Sequence, residues 1–260
     1  MTDEPRPPSA PGPPERIAVV VPAKDEAERI VATVTAAATI PGVDLVVVVD
    51  DGSSDTTQHL ARDAGAVVVR HQRNRGKAAA METGAQAVAV RERGTGQRPR
   101  ALLFVDADLA ATAASTSPLT VPVLAGASDM TIAVLPAQAT AGGGRGLVVD
   151  LSRRGIERAT GWTATQPLSG MRCLTREAFE AARPLARGWG VETALTIDLL
   201  RAGFRVTEVP CELQHRVSGT DLSAQLHRAA QYRDVARALA SRRVRGLVSG
   251  SRPRRAGGTA

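Results

Sequence analysis

The chain has 260 residues, 43% of them hydrophobic and 23% charged, with a net charge of +7, which suits one substantial α/β domain with its own core. Aromatic residues amount to 2%, which disfavours a single-strand nucleic-acid binder that stacks bases on aromatic rings. Two cysteines, Cys173 and Cys211, exclude a disulfide scaffold, and no apolar run approaches the roughly 20 residues of a membrane span. We therefore expect a cytoplasmic globular protein.

Both ends of the chain differ from its middle. Residues 1–15 are rich in proline and predict a disordered segment, whereas residues 16–240 carry a globular pattern. Residues 241–260 contain six arginines and no acidic residue, which predicts a disordered basic tail. Such a tail is usually a solvated end. The alternative is peripheral contact with the anionic inner face of a membrane.

Short β-branched runs alternate with helical segments in the first half of the chain. The pattern predicts strands at 16–22, 44–50, 66–70 and 101–106 and helices at 25–38, 54–64 and 77–91. The acidic residues at the start of the first helix suit its dipole. Alternation of this kind predicts βαβ units, a parallel sheet and right-handed crossovers.

The second half of the chain is less regular. It predicts strands at 128–135, 171–174 and 204–213, and helices at 147–159, from 176, at 191–202 and at 222–239. Residues 137–145 predict a flexible, Gly-rich loop. The whole pattern predicts an α/β fold with a mostly parallel central sheet flanked by helices.

Ligands of parallel sheets bind at the carboxyl ends of the strands. The predicted strand ends read Pro22-Ala-Lys-Asp-Glu26, Asp50-Asp-Gly-Ser53, Asn74-Arg-Gly-Lys77 and Asp106-Ala-Asp108. The first strand end lacks Gly-x-Gly-x-x-Gly, and the third lacks the upstream glycine of a P-loop. Both a dinucleotide-dependent oxidoreductase and a Walker-type NTPase are therefore disfavoured.

Asp106 and Asp108 are the strongest chemical signal. Two carboxylates just after a buried strand can hold a hard divalent cation, which can neutralise a departing diphosphate. Neutral imidazole is a common metal ligand, so His215, which follows the last predicted strand, is a candidate third ligand. A structural role for this single histidine is the alternative.

Asp50, Asp51 and Ser53 are compatible with two roles. Asp-Gly-Ser is ordinary turn chemistry, and a carboxylate at this place can also accept hydrogen bonds from a nucleotide base or ribose. Lys77 is one of only two lysines in the chain. That scarcity favours a cation aimed at a nucleotide over a solvated loop lysine.

Taken in order, the four strand-end motifs resemble glycosyltransferase family 2, whose members have the GT-A nucleotide-diphospho-sugar transferase fold. The resemblance covers roughly residues 16–235, although Asp25 stands where members usually carry Asn. It implies a UDP- or GDP-linked sugar donor. The residues that the resemblance places at the donor are Pro22, Glu26, Asp50, Asp51, Ser53, Lys77 and Asp106.

The second half is similar to the glucosyl-3-phosphoglycerate synthases, which are retaining enzymes that use UDP-glucose. The matching stretches are Gln166–Gly170, Gly188–Glu192, Asp198 and His215–Arg216. The resemblance implies a site for Mg²⁺ or Mn²⁺ formed by Asp106, Asp108 and His215. It also implies acceptor binding by Gly144, Arg145, Gly170 and Arg216. The group has Thr after the arginine of its acceptor loop, where this chain has Gly146.

These observations predict a metal-dependent glycosyltransferase that moves glucose from UDP-glucose to a small phosphorylated acceptor such as 3-phosphoglycerate. The expected catalytic residues are Lys77, Glu192 and Asp198. Glu192 or Asp198 would be the general base of an inverting enzyme, whereas Glu192 would orient the sugar in a retaining one.

Three other functions stay open at this point. The nearest is a polyprenyl- or dolichyl-phosphate glycosyltransferase that uses a UDP- or GDP-sugar. A sugar nucleotidyltransferase shares the nucleotide-binding layout but needs a Gly-rich loop after the first strand. In another class, a basic nucleic-acid-binding module is the alternative, although we expect no nucleic-acid partner. The alanine-rich terminal helix could pair in a homodimer.

Overall fold

The structure, a computed structural model, describes residues 12–136, 146–212 and 222–248, and in the last range it describes the side chains of 229–243. The strands are β1 (Ile17–Ala23), β2 (Val43–Asp50), β3 (Val67–Arg70), β4 (Ala101–Phe104), β5 (Met130–Val134), β6 (Arg172–Leu174) and β7 (Val206–Pro210). The α-helices are α1 (Ile30–Ala38), α2 (Thr57–Asp63), α3 (Lys77–Glu92), α4 (Thr120–Leu124), α5 (Leu147–Thr160), α6 (Arg176–Ala181), α7 (Val191–Arg201) and α8 (Leu222–Val248).

All seven strands form one sheet in the order β3-β2-β1-β4-β6-β5-β7. Strands β1 to β4 pair in parallel, as do β5 and β7, whereas β6 runs antiparallel to β4 and β5. The expected mostly parallel α/β sheet is thus confirmed. Because β1 to β4 point the same way, their carboxyl ends share one edge of the sheet, and the segments that follow them meet there.

Hydrophobic side chains pack on both faces of the sheet. In β1, Ile17, Val19 and Val21 belong to one core and Ala18 and Val20 to the other, as the two-residue period of a strand requires. Helix α1 and the 3₁₀ helix Ala110–Leu119 cover the first face, and α3, α6 and α7 cover the second.

Helix α3 approaches the sheet closely because it has a glycine at the contact. A Cβ at Gly84 would overlap Cγ1 of Val20 and lie 3.2 Å from Cγ2 of Val49. The close approach fixes the height of α3 over the sheet, and α3 carries Lys77 at its first position.

The first helix begins later than the sequence predicts. Helix α1 starts at Ile30, not at residue 25, and Asp25 has the left-handed backbone angle φ of 55°. The backbone amides of Asp25, Glu26 and Ala27 donate to side chains of the loop after β2, namely Ser53, Thr57 and Asp55. These long-range bonds hold the acidic residues in a turn, so the expected acids of the first helical turn are absent there.

The terminal helix extends beyond the predicted end at residue 239. Helix α8 continues to Val248, so the basic segment that begins at residue 241 starts inside a helix, not in a disordered tail. Its Arg242 is buried, because it pairs with a carboxylate of α7. Residues 1–11 and 249–260, where disorder was expected, lie outside the described residues. In the part of the chain that the structure describes, no helix is long and apolar enough to cross a bilayer.

Candidate active site

Three charged side chains from distant parts of the chain meet at the carboxyl edge of the sheet. Nζ of Lys77 lies 2.7 Å from Oδ1 of Asp106, to which it donates a hydrogen bond, and 3.3 Å from Oε1 of Glu192. Lys77 begins α3, Asp106 follows β4 and Glu192 lies in the first turn of α7. About a quarter of each of the Lys77 and Asp106 side chains is exposed, so both can reach a ligand.

The electrostatics of this cluster hold Lys77 in its charged form. Burial acts to lower the pKa of Lys77, but the negative charges of Asp106 and Glu192 outweigh burial and raise the pKa above its usual value. A cation is thus held beside two carboxylates at the strand ends. Its ammonium group is a donor that the phosphate oxygens of a nucleotide can accept from.

Gly170 closes the site from the side of the loop before β6. A Cβ at this position would overlap Nζ of Lys77 and lie 2.9 Å from Oδ2 of Asp106. The predicted acceptor residue Gly170 therefore contacts the same cluster as the predicted donor residues. No larger residue fits without displacing the lysine.

The loop that carries Gly170 is held by two residues that the sequence analysis did not single out. Buried Arg172 donates to the carbonyl oxygens of Pro167 and Ser169 and to Oγ1 of Thr196. Glu208 accepts hydrogen bonds from the backbone amides at positions 165 and 166. Burial lowers the pKa of Arg172 to about 10, and the negative charge of Glu192 opposes that shift.

Asp51 organises the loop before Lys77. Its Oδ1 accepts hydrogen bonds from Nδ1 of His71 at 2.7 Å and from the amide of Arg75 at 2.8 Å. Its Oδ2 accepts a bond of 2.7 Å from the amide of Gly76. The sequence analysis missed His71; the available signal was its position as the first residue after β3, at the same edge as the other strand ends.

Asp50 and Ser53 stabilise the turn after β2. Asp50 is fully buried, and its Oδ1 accepts a hydrogen bond from the amide of Ser53, while its Oδ2 lies 3.4 Å from Nε of Arg70. The hydroxyl of Ser53 accepts a bond from the amide of Asp25. The turn chemistry expected for this motif is therefore present, and the two residues lie at the expected strand end.

Pro22 and Glu26 lie on the neighbouring strand end. Pro22 is part of β1 and pairs in register with Val49 of β2. The carboxylate of Glu26 lies 3.0 Å from the guanidinium of Arg29. The structure thus brings all of the predicted nucleotide-contacting residues to one edge of the sheet.

Asp106 and Asp108 offer carboxylate oxygens, which are the ligands that Mg²⁺ and Mn²⁺ prefer. Both side chains are half-buried directly after β4, so their chemistry fits a hard divalent cation. Among the described residues, no group of three or more potential ligands is gathered into a metal site. The predicted third ligand, His215, lies outside the described residues, as do the predicted acceptor residues Gly144, Arg145 and Arg216.

Asp198 lies away from this cluster. It is on α7, nearly two turns beyond Glu192, and its carboxylate lies 3.1 and 3.2 Å from Nε of Arg242 on α8. The structure therefore connects Asp198 to the packing of α7 against α8. It does not bring this predicted base together with Lys77, Asp106 and Glu192.

A mostly parallel sheet whose strand ends carry paired aspartates and a lysine is the arrangement expected of a GT-A-type glycosyltransferase. The family model of Glycosyl transferase family 2 matches residues 18–181 of the chain. The chain belongs to this family and is a glycosyltransferase.

One of two similar proteins is itself named a glycosyltransferase. Glycosyltransferase AglJ from Haloferax volcanii is 30% identical over 222 residues, which cover 80% of this chain and 66% of AglJ. The chain thus spans about two thirds of the length of that relative. Protein MJ1222 of Methanocaldococcus jannaschii is 28% identical over 205 residues, covering 75% of this chain and 80% of that protein.

Among solved structures, the chain is similar to glucosyl-3-phosphoglycerate synthase from Mycobacterium tuberculosis. Its crystal structure with Mn²⁺, uridine diphosphate and phosphoglyceric acid matches with a TM-score of 0.68 and 27% identity, over 88% of this chain and 78% of that one. The crystal structure of the same synthase with Mg²⁺ and uridine diphosphate matches with a TM-score of 0.68 and 28% identity, over 88% of this chain and 79% of that one.

Proposed function

We propose that this glycosyltransferase moves glucose from UDP-glucose to a small phosphorylated acceptor such as 3-phosphoglycerate, with retention at the anomeric carbon. The observation that carries the proposal is the cluster of Lys77, Asp106 and Glu192 against Gly170. It sets the predicted acceptor residue Gly170 against the predicted donor residues Lys77 and Asp106. The Mycobacterium tuberculosis synthase, crystallised with Mn²⁺, UDP and phosphoglyceric acid, supports this choice of ligands.

In this proposal the strand ends bind the nucleotide. Pro22, Glu26 and the turn of Asp50, Asp51 and Ser53 form the wall for the base and ribose. Lys77 brings its positive charge to the diphosphate, because phosphate oxygens are strong acceptors for a charged donor. The bonds that Asp51 makes to the Arg75 and Gly76 amides keep Lys77 at that place.

Asp106, Asp108 and His215 would hold Mg²⁺ or Mn²⁺, as the carboxylate oxygens of the two aspartates suit such an ion. When bound, the ion stabilises the charge that develops on the departing nucleoside diphosphate. Glu192, which pairs with Lys77 at 3.3 Å, orients the sugar. Gly144, Arg145, Gly170 and Arg216 would bind the acceptor, with arginines suited to its phosphate.

The first experiment is a thermal-unfolding screen of the purified protein with UDP or GDP, each with and without Mn²⁺. A ligand at a hundred times its dissociation constant adds about 2.7 kcal/mol to the stability. We expect a rise of several degrees in Tm with UDP only when Mn²⁺ is present. Asp108→Asn is expected to abolish the rise. A rise with GDP alone would change the proposed donor, and no rise with either nucleotide would contradict the proposal.

The second experiment identifies the acceptor. The protein is incubated with UDP-glucose, Mn²⁺ and 3-phosphoglycerate, and the product is detected by mass spectrometry. The anomeric configuration of the product is read by nuclear magnetic resonance. A glucosyl product with the α configuration of the donor is expected, and a β product would overturn the proposed retention. No product with this acceptor, but product with a polyprenyl phosphate, would select the other acceptor class.

One observation favours that second acceptor class, a lipid phosphate. Helices α5, α7 and α8 line a cavity of about 460 Å³ beside which Arg154, Arg158 and Arg243 lie. The one carboxylate among the described residues that line it, that of Asp150, pairs with Arg153 instead. The side chains of Leu147 and Tyr232 on the same cavity are exposed. Cationic and apolar groups together suit an anionic amphiphile.

Vesicle co-sedimentation tests the lipid alternative. Binding to vesicles that contain phosphatidylglycerol, but not to phosphatidylcholine vesicles, is expected if this face contacts anionic lipid, and Arg154→Glu with Arg158→Glu is expected to abolish it. Equal sedimentation of wild type and double variant would remove the support that this cavity gives. A cytoplasmic location and a homodimer stay predictions from the sequence.

A further inference from the structure

Buried His71 connects two strand ends to the helix that carries Lys77. Its backbone amide donates to the carbonyl oxygen of Asp50. Its ring lies between Asp51, 2.7 Å from Nδ1, and Thr83 of α3, whose Oγ1 lies 2.9 Å from Nε2. Only 6% of His71 and 5% of Asp51 are exposed to solvent. Both ring nitrogens therefore have protein partners.

The chemistry of Asp51 fixes the direction of one of these bonds. An ionised carboxylate only accepts, so Nδ1 of His71 donates to Asp51. A hydroxyl both donates and accepts, so Thr83 can bond Nε2 in either form of the ring. The ring thus connects the turn after β2 to the body of α3.

Asp51 connects the His71 ring to the loop before Lys77. With Oδ1 shared between His71 and the Arg75 amide, and Oδ2 bonded to the Gly76 amide, the carboxylate holds two consecutive backbone groups. Without His71, the hydrogen bonds left to the carboxylate are those to the Arg75 and Gly76 amides, so it would no longer be tied through the ring to Thr83 of α3. The two amides immediately precede Lys77.

Gly52 allows the turn after β2 to lie close to the backbone of the loop 73–76. A Cβ at Gly52, whose φ is 76°, would lie 2.7 Å from the carbonyl carbon of Arg73 and 2.8 Å from the amide nitrogen of Asn74. The loop 73–76 therefore has backbone on one side and the carboxylate of Asp51 on the other. Its position is determined by these contacts, and Lys77 follows that position.

We infer that His71 is a positioning residue for glycosyl transfer: through Asp51 it fixes the Arg75–Gly76 amides and so sets Lys77 against Asp106 and Glu192. The inference rests on the proposed donor site for its kinetic consequence. Its structural consequence, a fixed loop before α3, does not depend on which sugar or acceptor the enzyme uses.

The test uses three variants of the full chain. His71→Leu removes both ring bonds at similar volume. His71→Asn keeps an N–H near the place of Nδ1, so it can still donate to Asp51. His59→Leu is the matched control, because His59 lies on α2 with an exposed side chain. The readouts are amide hydrogen exchange of a peptide over residues 73–80, the dissociation constant for UDP with Mn²⁺, and the kinetics with the identified donor and acceptor.

We expect His71→Leu to speed exchange in the 73–80 peptide but not in a peptide from α7. Donor kcat/KM should fall by about 10- to 100-fold, since a displacement near 1 Å at a reacting site has effects of this size. His71→Asn should recover most of both effects, and His59→Leu should match wild type. If His71 had a purely structural role, His71→Leu would lower the urea midpoint of unfolding, and His71→Asn would not recover the exchange rate and kcat/KM.

Two results would overturn the inference. One is a folded His71→Leu protein with wild-type exchange over 73–80. The other is faster exchange with unchanged nucleotide affinity and kcat/KM, which would show that the loop does not position Lys77 for the reaction. If the wild type itself binds neither UDP nor GDP, the proposed donor site fails, and the exchange comparison still decides whether His71 fixes the loop.

Discussion

Gly170 and Lys77 lie in direct contact at the centre of the candidate active site, although 93 positions separate them in the chain. The contact joins the loop before β6 to the first residue of α3. It leaves no room for a side chain at Gly170, because a Cβ would also lie 2.9 Å from Oδ2 of Asp106. Substitutions at either residue therefore test the geometry of the site without touching the core.

Gly170→Ala is expected to lower kcat/KM by about 10-fold or more, because the new methyl group displaces the Lys77 ammonium from Asp106. Steady-state kinetics with saturating acceptor measure the effect. Ser169→Ala is the control in the same loop, since it removes a buried hydroxyl that has no hydrogen-bond partner among the residues that the structure describes. Wild-type kinetics for Gly170→Ala would show that displacement of the Lys77 ammonium does not lower kcat/KM.

Lys77→Met is expected to lower kcat by about 10²- to 10³-fold, the usual effect of removing one preorganised donor at a developing negative charge. The fold should survive, since the side chain lies at the edge of the sheet and is partly exposed. Circular dichroism and kinetics are measured together. Arg91→Ala, an exposed cation on the same helix, is the control and should behave as wild type. Equal losses in both variants would argue against a specific role for Lys77.

Asp198→Asn distinguishes two roles for this residue. The structure pairs Asp198 with buried Arg242, so the loss of its charge should lower the free energy of unfolding by about 2 kcal/mol. Activity per folded molecule should then change little. If Asp198 is the general base that the sequence analysis predicts, kcat should fall instead by about 10²-fold or more. Urea unfolding and kinetics of one sample decide between the two.

Truncation of the basic segment tests the extent of α8. Ending the chain after residue 240 removes Arg242 and its ion pair with Asp198, so the urea midpoint should fall. Ending it after Val248 keeps the described part of α8, and the midpoint should stay at the wild-type value. Equal midpoints for the two truncated proteins would contradict a stabilising role for residues 241–248.

The two cysteines should react slowly with a thiol reagent in the native protein. Burial raises the pKa of the Cys211 thiol to about 11 and that of the Cys173 thiol well above its usual value. Only the thiolate reacts, so little of it is present at pH 8. Absorbance with Ellman's reagent should show two thiols only after unfolding in guanidinium chloride. Rapid reaction of the native protein at pH 8 would contradict this burial.

Much of the fold could be predicted because its signals are local. The buried run of β1 ends near Pro22 as expected, and α5 (Leu147–Thr160) and α7 (Val191–Arg201) agree with their predicted bounds within one residue. Each of these depends on periodicity and on residues a few positions apart. The motifs at the strand ends could be placed on one edge because parallel strands share a direction.

The predictions that failed depend on partners far along the chain. Helix α1 starts late because the amides of residues 25–27 bond side chains of residues 53–57. Helix α8 continues beyond residue 239, and Arg242 in this extension forms an ion pair with Asp198 of α7. Neither partner can be recognised from local pattern, since a capping residue or an ion pair at long range leaves no periodic signal.

By itself, the sequence determined the α/β class, the strand ends that carry the chemistry and the glycosyltransferase family, because these follow from local periodicity and from short motifs in order. Only the tertiary structure decided which of those residues meet. It placed Lys77 between Asp106 and Glu192, bound Asp51 to His71 and took Asp198 into an ion pair with Arg242. Contacts of this kind arise from the packing of helices on the sheet, which sets distances between residues that the sequence order leaves open.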